Sequence, residues 1–122
     1  MLVVDSSVWV DFFNGFEAPS AELLAHLLDH GEVRIVVPDL VLFEVLRGFR
    51  HERDLRTARQ LMQGLAIETS MDPELAVAAA EHYRQLRGRG HTVRSAIDVL
   101  VAAFCIERDY ALLHDDRDFD AF

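Results

Sequence analysis

The chain has 122 residues, 51% of them hydrophobic, and we expect one cytoplasmic domain over residues 1–122 with a core of its own. Its single cysteine excludes an internal disulfide and a cysteine-rich zinc site, no apolar stretch approaches the roughly 18 residues of a membrane span, and the amino terminus lacks the features of a secretory signal. The formal net charge of −9 argues against nucleic-acid binding over the whole surface, because phosphate backbones repel acidic proteins, but it says little about a local site.

The first half of the chain alternates short apolar runs with longer amphipathic segments, which predicts strands and helices in turn. The predicted elements are, in order, a strand 2–4, a helix from Ser6 or Ser7 to about residue 13, a helix from Ser20 to Gly31, a strand 33–37, and a helix that Pro38 opens and Gly48 interrupts.

The second half continues the alternation. Its predicted elements are a helix 52–63, a strand 66–68, a helix from Asp72 to about residue 86, a loop 88–90, a helix from Ser95 to about residue 107, a strand 111–113 and an acidic turn 114–120. Cys105 falls in the apolar run of the last helix, where we expect a buried and reduced thiol.

Strands that alternate with helices are typical of α/β proteins in which helices cover both faces of a parallel sheet. Ligands bind such sheets at the carboxyl ends of the strands. Asp5 directly follows the first predicted strand, and Asp115 and Asp116 follow the last one. We therefore expect these carboxylates at one edge of the sheet.

Two carboxylates stand out by their positions. Asp5 ends the first strand; its alternative role is a turn or helix cap, which Ser6 or Ser7 can fill as well. Asp98 is the only polar side chain between residues 96 and 106. A helix this apolar is buried on most sides, where an unpaired carboxylate is costly. Its alternative role, the acidic partner of Ser95 in a capping box, is compatible with a site.

For two further carboxylates, Glu44 and Asp116, an ordinary structural role is a stronger alternative to a site role. Glu44 can form an exposed i,i+3 pair with Arg47, although Leu40 and Phe43 beside it predict a helix that is apolar nearly all round. Asp116 belongs to an acidic cluster that can also be a solvated charge run near a helix N-terminus.

Carboxylates gathered at one sheet edge repel one another, which raises their pKa values. A hard divalent cation removes the repulsion, and Mg²⁺ and Mn²⁺ prefer carboxylate oxygen and water as ligands. Such cations generate hydroxide and stabilise the leaving oxygen in phosphodiester cleavage. A zinc-protease site is not indicated, because His82 and His91 lack the spacing of its motif.

Four motifs in order resemble the PIN-domain family, and the chain length and motif order resemble the VapC-type toxins of toxin–antitoxin pairs. The motifs are the apolar run before Asp5-Ser6-Ser7, the segment from Pro38 to Glu44 with Arg47-Gly48, the run Asp98-Val99-Leu100-Val101-Ala102-Ala103, and the segment from Leu112 to Phe119. Together they cover essentially the whole chain.

The resemblance implies a doubly wound three-layer α/β/α fold with a short parallel sheet and an acidic pocket that binds Mg²⁺ or Mn²⁺. The implied reaction is endonucleolytic RNA cleavage by metal-activated water. The implied partners are a VapB-type antitoxin that blocks the site and a second copy of the chain in a homodimer. The site residues carried over by motif are Asp5, Glu44, Asp98 and Asp116 as the four acids, Asp118 as the alternative fourth acid, and Ser7 as a ligand-orienting hydroxyl.

Three arginines are candidates for RNA contact. Arg47 shares a helix face with Glu44, while Arg89 and Arg94 flank the glycine-rich loop that leads to Asp98. The alternative for Arg89 and Arg94 is an ordinary solvated charge. Two rival functions stay open at this point: another metal-dependent phosphohydrolase, and a non-catalytic module that only binds an antitoxin.

Overall fold

The computed structural model describes all 122 residues and confirms the predicted alternation of strands and helices. The strands are β1 (Leu2–Val4), β2 (Ile35–Pro38), β3 (Ala66–Glu68) and β4 (Ala111–Leu113). The helices are α1 (Ser6–Asn14), α2 (Pro19–His30), α3 (Asp39–Leu46), α4 (Glu52–Gln63), α5 (Pro73–Gly88) and α6 (Ala96–Arg108), and a short 3₁₀ helix spans Arg117–Ala121.

The four strands form one parallel sheet in the order β3-β2-β1-β4. Leu2 of β1 pairs with Ile35 of β2 on one side and with Ala111 of β4 on the other. The chain passes from β1 to β2 to β3 in one direction and then returns to the far side of β1 as β4. The strand order therefore reverses between β1 and β4.

The helices form two sets. α1 packs against α2 and α3, and α3 packs against α4, whereas α5 packs against α6. Because crossovers between parallel strands are right-handed, connections that progress in opposite directions along the sheet lie on opposite faces. The fold is thus the doubly wound three-layer α/β/α arrangement that the sequence resemblance implied.

The central strands carry the hydrophobic core. Val3 and Val4 of β1 and Val36 and Val37 of β2 are fully buried, as expected for β-branched residues in a parallel sheet with helices on both faces. None of the helices is both long and apolar enough to cross a membrane.

Cys105 of α6 is buried, as the sequence predicts. Burial, together with a smaller contribution from the charge of Asp5, raises the pKa of its thiol to about 12. The thiol is therefore uncharged at neutral pH and serves as a small apolar core residue.

Two predicted helix starts are wrong. Asp5 caps α1 in place of Ser6 or Ser7, since its backbone is extended and its side chain accepts a hydrogen bond from the Ser7 N–H. α2 begins at Pro19, whose fixed φ suits the first helical position, so Ser20 lies inside the first turn rather than at the cap.

Three predicted bounds also differ. β2 begins at Ile35 rather than at residue 33, because β1 offers a register partner only from Leu2 onward. α5 continues to Gly88 rather than ending near residue 86, which shortens the predicted loop. Most of the predicted acidic turn is the 3₁₀ helix that begins at Arg117.

Candidate active site

Nine residues, none of them hydrophobic, line an open cleft of about 580 Å³ at the carboxyl edge of the sheet. Because β1 and β4 are neighbours at the reversal of the strand order, the cleft lies where open α/β sheets bind ligands. All four predicted acids, drawn from four separate segments, line it. The lining residues are Asp5, Ser6, Ser7, Glu44, Ser95, Asp98, Asp115, Asp116 and Arg117.

Asp5 reaches the cleft from the end of β1, where its N–H donates to the Leu113 carbonyl of β4 at 2.9 Å. The residue is only 4% exposed. Ser7 Oγ donates to Asp5 Oδ2 at 2.6 Å, while Asp5 Oδ1 is buried without a hydrogen-bond partner. A buried carboxylate oxygen without a donor is costly, so Oδ1 is well suited to receive a cation.

Glu44 comes from α3, and its side chain is 13% exposed. Ser6 Oγ donates to Glu44 Oε1 at 2.9 Å. Arg47 Nη2 lies 3.8 Å from Glu44 Oε2 on a side chain that is 58% exposed, so this ion pair is a weak constraint. Glu44 is therefore oriented chiefly by Ser6, a residue that the sequence pattern suggested only as a helix cap.

Asp98 projects from the first turn of α6. Ser95 caps this helix by accepting a hydrogen bond from the Asp98 N–H at 3.3 Å, as predicted. The Asp98 carboxylate does not return a bond to Ser95, so the capping box is only half formed. The carboxylate is left without a protein donor and lines the cleft.

The electrostatic environment of Asp98 is unfavourable to its charge. Burial is the largest cause, followed by the negative charges of Asp5 and of three further carboxylates, and together they raise the pKa of Asp98 to about 6. The costs of desolvation and of like-charge repulsion both fall when a cation binds, so this carboxylate gains from a metal ion.

The candidates for the fourth acid are on the segment after β4. Asp116 is exposed, lines the cleft, and caps the 3₁₀ helix by accepting a hydrogen bond from the Asp118 N–H at 2.9 Å. Asp118 is outside the cleft lining, and its Oδ1 is 3.6 Å from His91 Nε2. Of these two carboxylates, Asp116 is therefore the one that lines the cleft.

Sequence reasoning assigned no site role to Ser6, and it missed two further contributors to the cleft, Arg117 and Ser95. Arg117 is the one cation among the lining residues, and its place directly after Asp116 is the signal that would have found it. Ser95 lines the cleft in addition to capping α6. Asp115 lies at this edge of the sheet as expected, and its side chain accepts a hydrogen bond from Ser20, which ties the first turn of α2 to the segment after β4.

The three arginines predicted to contact RNA are not gathered together. Arg47 lies beside the cleft through its approach to Glu44. Arg89 is exposed at the carboxyl end of α5. Arg94 is also exposed but borders a separate, mainly apolar groove between α5 and α6. Only Arg47 is thus in contact with a residue of the cleft.

The donor atoms of the cleft fit a hard divalent cation. They are carboxylate and hydroxyl oxygens, with no imidazole or thiolate among them. No three acidic, histidine or cysteine side chains converge closely enough to enclose an ion by themselves. Mg²⁺ commonly keeps several waters and binds through one or two carboxylates. The unsatisfied Asp5 Oδ1 and the unpaired Asp98 carboxylate suit that mode.

Comparisons with known sequences bear on the whole chain. A family model described as PIN domain matches residues 2–122. Two curated relatives are each 33% identical to this chain over 120 residues. They are VapC ribonuclease Mb1587 of Mycobacterium bovis and ribonuclease VapC11 of Mycobacterium tuberculosis. Each alignment covers 98% of this chain and 90% of the relative.

Solved structures share the fold at low sequence identity. VapBC2 from Rickettsia felis, bound to a DNA fragment from its promoter, has a TM-score of 0.77 at 16% identity, covering 98% of this chain and 90% of that one. FitAcB from Neisseria gonorrhoeae has a TM-score of 0.72 at 13% identity, with coverages of 99% and 92%. VapC20 of Mycobacterium tuberculosis, described as a sarcin-ricin loop cleaving toxin, has a TM-score of 0.70 at 16% identity, with coverages of 99% and 94%.

Proposed function

The chain belongs to the PIN domain family, and from that premise we propose that it is a Mg²⁺- or Mn²⁺-dependent endoribonuclease that acts as the toxin of a toxin–antitoxin pair. The names of its relatives, VapC ribonucleases at 33% identity, support the reaction class. The observation that carries the proposal is the meeting of Asp5, Glu44, Asp98 and Asp116 in one cleft without a hydrophobic residue.

We assign the metal to the cleft carboxylates, with Asp5 and Asp98 as its principal ligands and Glu44 and Asp116 completing the set directly or through water. A bound Mg²⁺ or Mn²⁺ would supply an activated water nucleophile and neutralise charge on the scissile phosphate. Asp118 is the alternative candidate for the fourth acid.

The chain's own polar groups orient this set. Ser7 holds Asp5 Oδ2, which leaves Oδ1 for the cation. Ser6 holds Glu44 Oε1, so Oε2 is available to accept a hydrogen bond from a water molecule. Arg117 at the cleft contributes the positive charge that an incoming phosphate needs among so many carboxylates.

The proposed partners follow from the same family membership. A VapB-type antitoxin would inhibit the toxin by covering the cleft, and VapBC2 and FitAcB are two solved structures with this fold. We also propose a cytoplasmic homodimer. Arg47 is the arginine best placed for RNA contact, and Arg89 and Arg94 are proposed as contacts of a longer substrate.

The deciding experiment incubates purified protein with structured RNA in Mg²⁺, in Mn²⁺ and in chelator. We expect cleavage in either metal, none in chelator, and none by Asp98→Asn, whose circular dichroism spectrum should match the wild type. Equal cleavage by wild type and Asp98→Asn would overturn the assignment. Cleavage of a simple phosphate monoester, with RNA left intact, would favour a different phosphohydrolase.

A growth experiment tests the toxin role separately. Expression of the wild-type chain should arrest growth, and co-expression of its antitoxin should relieve the arrest. A folded protein that binds the antitoxin but cleaves no RNA in either metal would instead be a non-catalytic binding module.

A further inference from the structure

Phe43 of α3 is 57% exposed, although the sequence predicted a helix that is apolar nearly all round. That prediction is wrong at this position. Val41 and Val45 are buried and Leu40 packs against the core, but Phe43 is not part of the core cluster. Single exposed hydrophobic residues are common on protein surfaces, so exposure alone assigns no role to the ring.

The second observation is the arginine beside the ring. The Arg47 guanidinium carbon lies 5.5 Å from the centroid of the Phe43 ring, while its Nη2 lies 3.8 Å from Glu44 Oε2. One arginine therefore joins an exposed aromatic ring to a carboxylate that lines the cleft. The Arg47 side chain is 58% exposed, so its guanidinium is accessible to a ligand.

An aromatic face next to a planar cation is the combination with which proteins bind unpaired nucleotides. Bases stack on aromatic rings whatever their sequence, and arginine contacts the neighbouring phosphate. The net charge of −9 makes such a cation especially valuable here, because the chain as a whole repels a polyanion.

We propose that Phe43 and Arg47 form a subsite for one unpaired nucleotide of the RNA whose scissile phosphate occupies the cleft. The base stacks on the Phe43 ring, and Arg47 contacts an adjacent phosphate. This assignment rests on the proposed ribonuclease function and names the residues that bind a nucleotide beside the cleavage site.

The test measures RNA affinity by fluorescence anisotropy, with Asp98→Asn as the background so that the probe is not cut. The probes are a short single-stranded oligoribonucleotide and a duplex of the same sequence. Phe43→Ala should weaken single-strand binding by about 5- to 150-fold, the loss expected for one stacked base. It should leave duplex binding unchanged, because paired bases do not present a free face.

Two replacements and two controls isolate the contacts. Phe43→Trp should keep the single-strand affinity, and Arg47→Ala should weaken it and flatten its dependence on salt. Phe16→Ala removes a ring that is 60% exposed but has no arginine over it. Arg108→Ala removes an arginine that also covers an aromatic ring, that of Phe104 at 4.9 Å, at the far end of α6. Neither control should change the affinity.

Unchanged single-strand binding by Phe43→Ala, or an equal loss for single strand and duplex, would overturn the subsite. If Phe43→Ala keeps RNA affinity but loses the co-expressed antitoxin, the ring contacts a protein instead and the subsite is rejected. These results differ from a failure of the ribonuclease proposal, in which the wild type itself cleaves no RNA in Mg²⁺ or Mn²⁺.

Discussion

Ser6 Oγ donates a 2.9 Å hydrogen bond to Glu44 Oε1 and so joins the first turn of α1 to α3 across 38 positions of the sequence. The adjacent Ser7 donates to Asp5 Oδ2 at 2.6 Å. Two consecutive hydroxyls thus hold two carboxylates that arrive from different elements. Their spacing fixes the placement of Asp5 relative to Glu44 before any ligand enters.

We expect Ser6→Ala to raise the Mn²⁺ concentration needed for half-maximal cleavage by about 10-fold, near the lower end of effects seen when a partner of a metal ligand is removed. The free energy of unfolding should fall by only about 1 kcal/mol, the usual net value of one hydrogen bond. Metal titrations of RNA cleavage and urea denaturation measure the two quantities.

Ser6→Thr keeps the hydroxyl and should behave like the wild type. Thr57→Ala is a matched control, because that hydroxyl donates to the Arg53 carbonyl in an exposed bond within α4, outside the cleft. If Ser6→Ala and Thr57→Ala give the same metal dependence, Ser6 has no positioning role.

The raised pKa of Asp98 should make the free energy of unfolding of the metal-free protein depend on pH. The pKa of Asp98 in the folded state is about 6, above the ordinary value of 3.8, because of burial and neighbouring carboxylates. The folded state therefore binds this proton more tightly than the unfolded state. The resulting stabilisation is complete below about pH 4 and is lost as pH rises through about 6.

Asp98→Asn removes the charge and should abolish this dependence. In chelator, we expect the variant to be more stable than the wild type above pH 6, by on the order of 1–2 kcal/mol after allowing for solvent screening. The difference should vanish near pH 4. Urea denaturation at several pH values measures it; a wild type that is the more stable of the two at pH 7.5 would contradict the electrostatic account.

Local chemistry made much of the fold predictable. The bounds of β1, β3, β4 and α4 and the Ser95 cap of α6 all follow from short segments of sequence. The gathering of the acids was predictable as well, since three of the four follow a strand or begin a helix at the carboxyl edge. The sequence could not decide between adjacent residues that are equally able to cap a helix. Asp5 and Ser6 at the start of α1 are an example, and the structure has Asp5 as the cap.

Asp39 shows where the rule for carboxylates fails. It follows β2 as Asp5 follows β1, yet its Oδ1 accepts hydrogen bonds from the Leu40 N–H at 2.9 Å and the Ser70 N–H at 3.0 Å. It therefore holds the start of α3 and does not line the cleft. Ser70 lies 31 positions from Asp39 in the chain, so this contact is set by packing, as are the Ser6–Glu44 bond and the exposure of Phe43.

The two candidates for the fourth acid are separable by substitution. We expect Asp116→Asn to lower kcat for RNA cleavage by at least 10-fold, because its carboxylate lines the cleft. Asp118→Asn should lower kcat less, since the Asp118 side chain lies outside the cleft lining and beside His91. Asparagine still caps a helix well, so Asp116→Asn should keep the fold. The reverse order of activities would move the role to Asp118.

Cys105 should be inert in the folded protein. It is 4% exposed, and burial raises the pKa of its thiol to about 12, so thiolate is scarce at neutral pH. Ellman's reagent should therefore label it only after denaturation. Rapid labelling of the native protein at pH 7.5 would show that the segment around α6 opens readily.

Metal binding should stabilise the folded chain through the same carboxylates. A ligand that binds only the folded state adds RT ln(1 + [L]/Kd), about 2.7 kcal/mol at 100 times Kd. We expect Mg²⁺ or Mn²⁺ to raise the melting temperature of the wild type and to have much less effect on Asp98→Asn. Asp120→Asn is the control, because it removes the same charge from a side chain that is 71% exposed and outside the cleft. If both variants respond to metal as the wild type does, the cation binds elsewhere.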